Sequence, residues 1–372
     1  MYIQVGEPSF DEEEVNNVVR VVREGRVSRG KELDEFEQAL AQYLGVKYVV
    51  TVNSGTAAIE VAFRAMGIEK KEVITTTTSC APSANGIIHA GNKPVLVDVS
   101  PTNYNLDANQ IEKHITSETA AIMPVHIYGR PCNMDKVMAI ARKHNLPVVE
   151  DCAQSMGAKW NGKLTGTFGD VGCFSLNVIK LITTGEGGFI ATNNGEIARR
   201  AVIIRNYGRS PERTDYCYTE FGHNYKFTNL QAALGLAQLK KLDGFIAKRR
   251  ANAREMIQRL SDIPELQLPQ EYQLEFMNYV SFPIVLKKPD VCIKIREYLE
   301  KQGVENRTMF MAMCDQPYYQ KLFGVLDSTR MYPHATYIGK NGFYVGCHPT
   351  LTREQMDYMI KTIHEAVASV LR

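Results

Sequence analysis

Lys180 lies in G-D-V-G-C-F-S-L-N-V-I-K-L-I-T-T-G-E-G-G, residues 169–188. Val171 to Ser175 is a β-branched and aromatic run of strand type. Three apolar residues and one Asn separate it from Lys180, and Gly185-Glu-Gly-Gly makes a tight turn before a second strand opens at Phe189. A lysine held beside apolar neighbours loses hydration, which lowers its pKa and frees the neutral amine. Such an amine condenses with an aldehyde to a Schiff base. The plainer reading is a surface lysine in a loop between strands. Two other stretches offer matching chemistry. In Asn53-Ser-Gly-Thr-Ala-Ala a strand gives way to a helix. Free amides at that helix start, with the hydroxyls of Ser54 and Thr56, suit a phosphate dianion, although a simple N-cap has the same signature. Asp151 closes the apolar run Leu146 to Asp151, where it could pair with a buried cation or cap the next helix.

The elements that must position these groups alternate. Amphipathic helices are expected from Asp11 to Glu24, with Val15, Val18, Val19 and Val22 on one face, and from Leu33 to Leu44, stopped by Gly45. Strands are expected at Lys47 to Val52, Glu72 to Thr76, Pro94 to Val99, Ala120 to His126 and Leu146 to Asp151. A helix covers Asp135 to His144, and another runs from an Asn194 cap to Arg205. This pattern predicts an α/β fold with a mainly parallel sheet. A long helix from Lys226 to Phe245 or beyond places Leu230, Ala233, Leu234 and Ala237 on one face. Leu236 and Leu239 fall off it, so cover on more than one side is expected. A polar, proline-bearing stretch, Pro264 to Gln273, leads to strands at Tyr279 to Leu286, Arg307 to Phe310 and Gly342 to Cys347. Helices lie at Val291 to Gln302 and Arg353 to Arg372. The division expected is a large domain, 1–245, and a smaller α+β domain, 246–372.

With 372 residues, 44% of them hydrophobic and a formal charge of +2, the chain has no electrostatic case for binding nucleic acid. Met1 to Glu12 lacks the basic region and apolar core of a signal peptide, and no run reaches membrane-spanning length. A soluble, cytoplasmic protein is expected, without nucleic-acid or membrane partners. The eight cysteines form no Cys-x-x-Cys pair, which favours free buried thiols over disulfides or a metal site.

Six motifs occur in order: Asn53-Ser-Gly-Thr-Ala-Ala, Pro124-Val-His-Ile-Tyr-Gly, Glu150-Asp-Cys-Ala-Gln-Ser, Gly169-Asp-Val-Gly-Cys-Phe-Ser, Lys180 with Thr184-Gly-Glu-Gly-Gly, and Gly222-His-Asn-Tyr-Lys. Over essentially its whole length the chain resembles the DegT/StrS-type sugar aminotransferases, in particular their perosamine-synthase branch. The resemblance implies the aspartate-aminotransferase fold (fold type I), pyridoxal 5′-phosphate (PLP) as cofactor, and a homodimer with shared active sites. Lys180 would then hold the cofactor as a Schiff base, Asp151 would meet its ring nitrogen, and Gln154 its phenolic oxygen. Ser54, Gly55, Thr56 and Ser175 would cradle the phosphate, with Asn224 reaching it from the neighbouring subunit. The reaction implied takes an amino group from L-glutamate to the keto carbon of a nucleotide-linked 4-keto-6-deoxyhexose. A 3-keto sugar, a keto-cyclitol or a silent regulatory paralogue are the alternatives. The family's dehydratases carry histidine in place of the lysine, so Lys180 argues against that branch.

Departures from the family pattern bear on details. Cys80 stands where most members stack an aromatic ring on the cofactor; it either packs sulfur there or serves as a reactive thiol. Lys226 replaces an arginine, which weakens bidentate anion binding. Leu176 and Asn177 replace the usual residues before the lysine. Arg307 is a candidate for the nucleotide diphosphate or else a surface ion pair, and Lys31 and Arg29 are candidates for the same anion or solvated loop charge.

Overall fold

The computed structural model describes residues 1–371. Seven strands build the N-terminal sheet: β1 (Tyr48–Val52), β2 (Glu72–Thr76), β3 (Lys93–Val97), β4 (Thr119–Met123), β5 (Val149–Asp151), β6 (Val171–Ser175) and β7 (Gly188–Thr192). Their order is β1-β7-β6-β5-β4-β2-β3, with β4 and β5 joined by the parallel bridges Ile122–Val148 and Val125–Asp151. Only β7 runs against the rest, pairing antiparallel with β1 and β6. All but β7 therefore end on one edge of the sheet, and that edge receives Ser54, Ser79, Asp151 and Ser175.

Helices α1 (Glu12–Glu24), α2 (Lys31–Leu44), α3 (Gly55–Ala65), α4 (Ala81–His89), α5 (Met134–His144) and α6 (Gly195–Arg205) accompany these strands. α3 is apolar nearly all round, and its buried residues share one core with β1, β2, β4, β5, β6 and β7. Asn194 caps α6 through its side chain, as the sequence predicts.

α1 corrects an expectation. The helix forms and Asp11 caps it, but Val15, Val19 and Val22 are 51%, 37% and 55% exposed. The buried positions are Val21 and Glu14, whose carboxylate accepts from Lys241 and Gln238. Docking of this helix follows that polar anchor, not its valine stripe.

α7 (Asn229–Leu260) begins three residues later than the apolar pattern predicts, because Thr228 and Gln231 cap each other reciprocally. It continues unbroken through residue 245 to Leu260. Phe36 of α2 and Ala253 and Met256 lie in different cores along it, so it is covered on several sides.

The C-terminal sheet is antiparallel, β8 (Leu266–Gln267), β9 (Phe282–Leu286), β10 (Asn306–Thr308) and β11 (Gly342–Val345), in the order β8-β9-β11-β10. Helices α8 (Cys292–Lys301) and α9 (Arg353–Leu371) bury Ile295, Leu299, Met359 and Ile363 against it. Ile3 belongs to this core too, bridging Val304. Among the described residues no helix is long and apolar enough to cross a membrane.

Candidate active site

At the carboxyl edge of the parallel strands, a cavity of about 260 Å³ gathers Ser54, Gly55, Thr56, Cys80, Asp151, Gln154, Ser175 and Lys180, together with Ser79, Ser83 and Glu186. Eight of the twelve candidate site residues expected from sequence thus meet in one place. A second cavity shares Cys80, Gln154 and Lys180 with it and adds Arg307, Tyr128, Phe310 and Tyr344. Asn224 and Lys31 line neither. Asn224 is exposed in the 206–226 loop, where it bridges Asn206, and Lys31 is exposed at the start of α2.

Lys180 is set by its hairpin. The loop between β6 and β7 is tied by Leu176, whose N–H donates to Gly187 O at 2.8 Å and whose carbonyl accepts Thr184 N–H at 3.0 Å. Leu176, Leu181 and Ile182 are buried in the core beside it. Asn177 Nδ2 donates to Glu186 Oε1, closing the loop's open side. Burial lowers the Lys180 pKa, and Cys80, Asp151 and Glu186 offset this only in part. A larger fraction of its amine is therefore neutral than at an exposed lysine.

The first turn of α3 faces the same cavity. Ser54 Oγ accepts Ala57 N–H at 3.1 Å, which leaves the amides of Gly55 and Thr56 among the unfilled donors of that turn. A Cβ on Gly55 would lie 2.8 Å from Ser175 Cβ, so only glycine lets the turn close on β6. Two amides, two or more hydroxyls and a positive helix end form a donor set that fits a phosphate dianion. The site passes this test for a phosphate-bearing cofactor.

Asp151 is buried, with Oδ2 accepting Ser83 Oγ–H at 2.6 Å and Oδ1 accepting Ala153 N–H at 3.0 Å. Gln154 Oε1 accepts Tyr128 N–H at 2.8 Å. Tyr128 takes left-handed backbone angles (φ 53°) and stacks on Phe310 at 5.7 Å, while its hydroxyl accepts Phe310 N–H. Tyr128 itself lines the second cavity and reaches the first only through its bond to Gln154. Cys80 opens on the cavities, yet their apolar walls push its thiol pKa up, with Lys180 opposing and Asp151 adding. A thiol so raised stays protonated at neutral pH, which supports packing over reactivity.

The His126, Glu150 and Cys152 cluster has metal-ligand spacing, but its lone pairs are committed. His126 Nδ1 accepts Cys132 N–H, so Nε2 carries the proton and donates to Glu150 at 3.1 Å. Glu150 also accepts the N–H groups of Gly166, Phe168 and Gly169. The pair anchors the loop before β6. Ser79 and Ser83 are functional neighbours that sequence reasoning passed over. Their signal was a serine on either side of Cys80-Ala-Pro, next to a strand end.

Arg307 donates to Glu305 Oε1 at 3.1 Å, and Glu305 Oε2 accepts Val5 N–H at 2.9 Å. Val5 and Gly6 also line the second cavity, so the N-terminal segment forms part of its wall.

A lysine with a lowered pKa, a buried carboxylate and a phosphate-type helix start, on this sheet order, define a PLP-dependent enzyme of fold type I. The chain belongs to the DegT/DnrJ/EryC1/StrS aminotransferase family, whose profile matches residues 8–364. It is 34% identical to the GDP-perosamine synthase of Escherichia coli O157:H7 over 366 residues, 98% of each chain. It is 35% identical to the GDP-perosamine synthase of Caulobacter vibrioides over 371 residues, again 98% of each. Among solved structures it superposes on Helicobacter pylori PseC, an aminotransferase involved in the biosynthesis of pseudoaminic acid. That match has a TM-score of 0.94 and 27% identity, and covers 99% of this chain and 100% of that one.

Proposed function

We propose that this enzyme transfers an amino group from L-glutamate to the keto carbon of a nucleotide-linked 4-keto-6-deoxyhexose. The observation that carries the reading is the convergence of Lys180, Asp151, Gln154 and the α3 first turn on one cavity, in a chain related to GDP-perosamine synthases. PLP bound there supplies an electron sink for charge developing at the substrate carbon. Gly55 and Thr56 amides and the Ser54, Thr56 and Ser175 hydroxyls hold its phosphate. Asp151 would accept a hydrogen bond from the ring nitrogen and so keep it protonated, and Gln154 Nε2 would donate to the phenolic oxygen. Lys180 Nζ holds the cofactor and, once released, carries a proton to and from the substrate carbon. Arg307, in the adjoining cavity, meets the nucleotide diphosphate; there its fork must exchange Glu305 for phosphate. The working unit is a homodimer in which Asn224 of a second copy completes the phosphate site. Its exposure on a loop outside the cavity supports that reading. Residues 1–245 act as the cofactor-binding domain and 246–372 as the smaller one.

The test is a visible absorbance scan of the purified protein with PLP, before and after L-glutamate. A band that requires Lys180 and moves to shorter wavelength with glutamate, then returns with a keto-sugar nucleotide, supports the reading. No lysine-dependent band in the wild type, against Lys180→Ala, removes it. Mixing Lys180→Ala with Asn224→Ala protein tests the shared site: recovered activity requires two copies per site.

A further inference from the structure

We propose that Ser83, itself oriented by Ser79, is the positioning residue that holds Asp151 as a fixed, ionised acceptor at the cofactor ring; this rests on the role given to Asp151 above. Asp151 ends β5, and among the described residues the one donor on Oδ1 is Ala153 N–H, two positions further along the same chain. That local bond does not tie the carboxylate to the other wall of the cavity. Ser83 does so, because it sits in the first turn of α4, an element that follows β2. Its Oγ lies 2.6 Å from Asp151 Oδ2 and 2.6 Å from Ser79 Oγ. All three side chains are buried.

The direction of the chain follows from proton counting. An ionised carboxylate only accepts, so Ser83 gives its one proton to Asp151. The Ser83 oxygen then accepts, and Ser79 must be its donor. Both hydroxyls thus point their protons toward Asp151, an order that stabilises the charged carboxylate and that a protonated one would not require.

The α4 terminus supplies an independent sign that these hydroxyls are reserved. Serines beside a helix start ordinarily cap it, yet here Cys80 is the N-cap and no side chain caps the helix. Ser79 precedes the cap and Ser83 follows by three, and neither hydroxyl takes an amide. Instead both are turned to the carboxylate, whose negative charge also lies near the positive end of α4.

The experiment uses full-length Ser83→Ala, Ser83→Thr, Ser79→Ala, Ser79→Ala/Ser83→Ala and Asp151→Asn. Three quantities are read for each: melting temperature of the apoprotein, PLP dissociation constant, and the pH dependence of the bound-cofactor absorbance. The single-turnover rate with L-glutamate is measured alongside. Ser83→Ala is expected to weaken PLP binding about tenfold and slow the single turnover about tenfold, the cost of one charge-assisted hydrogen bond. Its absorbance–pH profile should shift in the same sense as that of Asp151→Asn, with the half-saturating glutamate concentration little changed. Ser79→Ala should give a smaller effect of the same sign, about threefold, and add nothing on top of Ser83→Ala. Ser83→Thr should restore wild-type behaviour. If Asp151→Asn shifts the profile and Ser83→Ala does not, the positioning role is wrong while the reading of Asp151 survives. If Asp151→Asn leaves the profile unchanged, both fall. Equal, additive losses from the two serines, or losses confined to melting temperature, overturn the chain as well. Should Ser83→Ala fail to fold, Ser79→Ala and Ser83→Thr decide alone: a shifted profile in the first and none in the second supports the proposal, and an unshifted first refutes it.

Discussion

The side-chain oxygen of Gln154 accepts the backbone N–H of Tyr128 at 2.8 Å. That bond settles which end of the amide is which, because an N–H can only meet oxygen. The Gln154 NH₂ is thereby left to donate into the cavity. Tyr128 holds its half of the bond from a left-handed backbone position braced by aromatic contacts to Phe310 and Tyr344.

Replacing that donor should be felt by the cofactor and hardly by the fold. Gln154→Glu keeps an acceptor for Tyr128 and sets a carboxylate oxygen where the NH₂ was. PLP affinity should fall by about tenfold or more, the scale of a lost hydrogen bond to a charged group. Equilibrium titration of the apoprotein checks this, with the melting temperature as the control.

Gly55→Ala tests the phosphate cradle by shape alone. The new Cβ would come within 2.8 Å of Ser175 Cβ, so α3 and β6 must separate. A cost of about 1–3 kcal/mol is expected from such overpacking. PLP should bind at least about tenfold more weakly, while far-ultraviolet circular dichroism stays that of the wild type.

Lys180 predicts a pH dependence with a definite sign. Its folded-state pKa lies below the ordinary 10.5 because burial disfavours the charged amine. The unfolded chain then binds more protons in the window between the lowered value and 10.5, so stability rises with pH through that window. Apoprotein Lys180→Met should therefore melt higher than wild type at neutral pH, with the gap closing toward pH 10. The rate of PLP uptake by the wild type should climb with pH and level off below 10.5.

Glu150 should matter to folding before it matters to chemistry. Glu150→Ala strands three backbone N–H groups and the His126 ring. A loss of about 3 kcal/mol or more is expected from an abandoned buried network. Urea unfolding of the apoprotein reads it.

His348 gives an acid-side counterpart. Burial, then Arg249, hold it below the usual histidine range, and it bonds Gln4 O and Thr350 Oγ1. A depressed folded pKa means that its contribution is complete above about 6.5 and is lost as pH falls through the folded value. The drop in urea midpoint between pH 7.5 and 5 should be smaller in His348→Asn than in wild type.

Much of this was legible from residue pattern. The strands at 72–76 and 171–175 and the Asn194 cap fall where alternation and capping chemistry put them. Most of the cavity lining was readable too, because loops after parallel strands share one edge of a sheet. The misses have physical causes. A four-valine stripe on α1 could not reveal that Glu14, held by Lys241 and Gln238 from more than 220 positions away, would choose the buried face. Ser83 was silent because its partner, 68 positions distant, becomes a neighbour only when α4 folds over β5. The start of α7 moved because reciprocal capping by Thr228 and Gln231 is worth more than one extra turn of apolar pattern.

The strap formed by the first few residues also governs the order of events during synthesis. Val5 donates to Glu305, 300 positions later, and Ile3 is buried beside Val304. Residues made early thus find their places among those made about 300 positions later. Until then Val5 and Gly6 cannot wall the cavity, and a nascent chain holds an unfinished site however well its parallel sheet has formed.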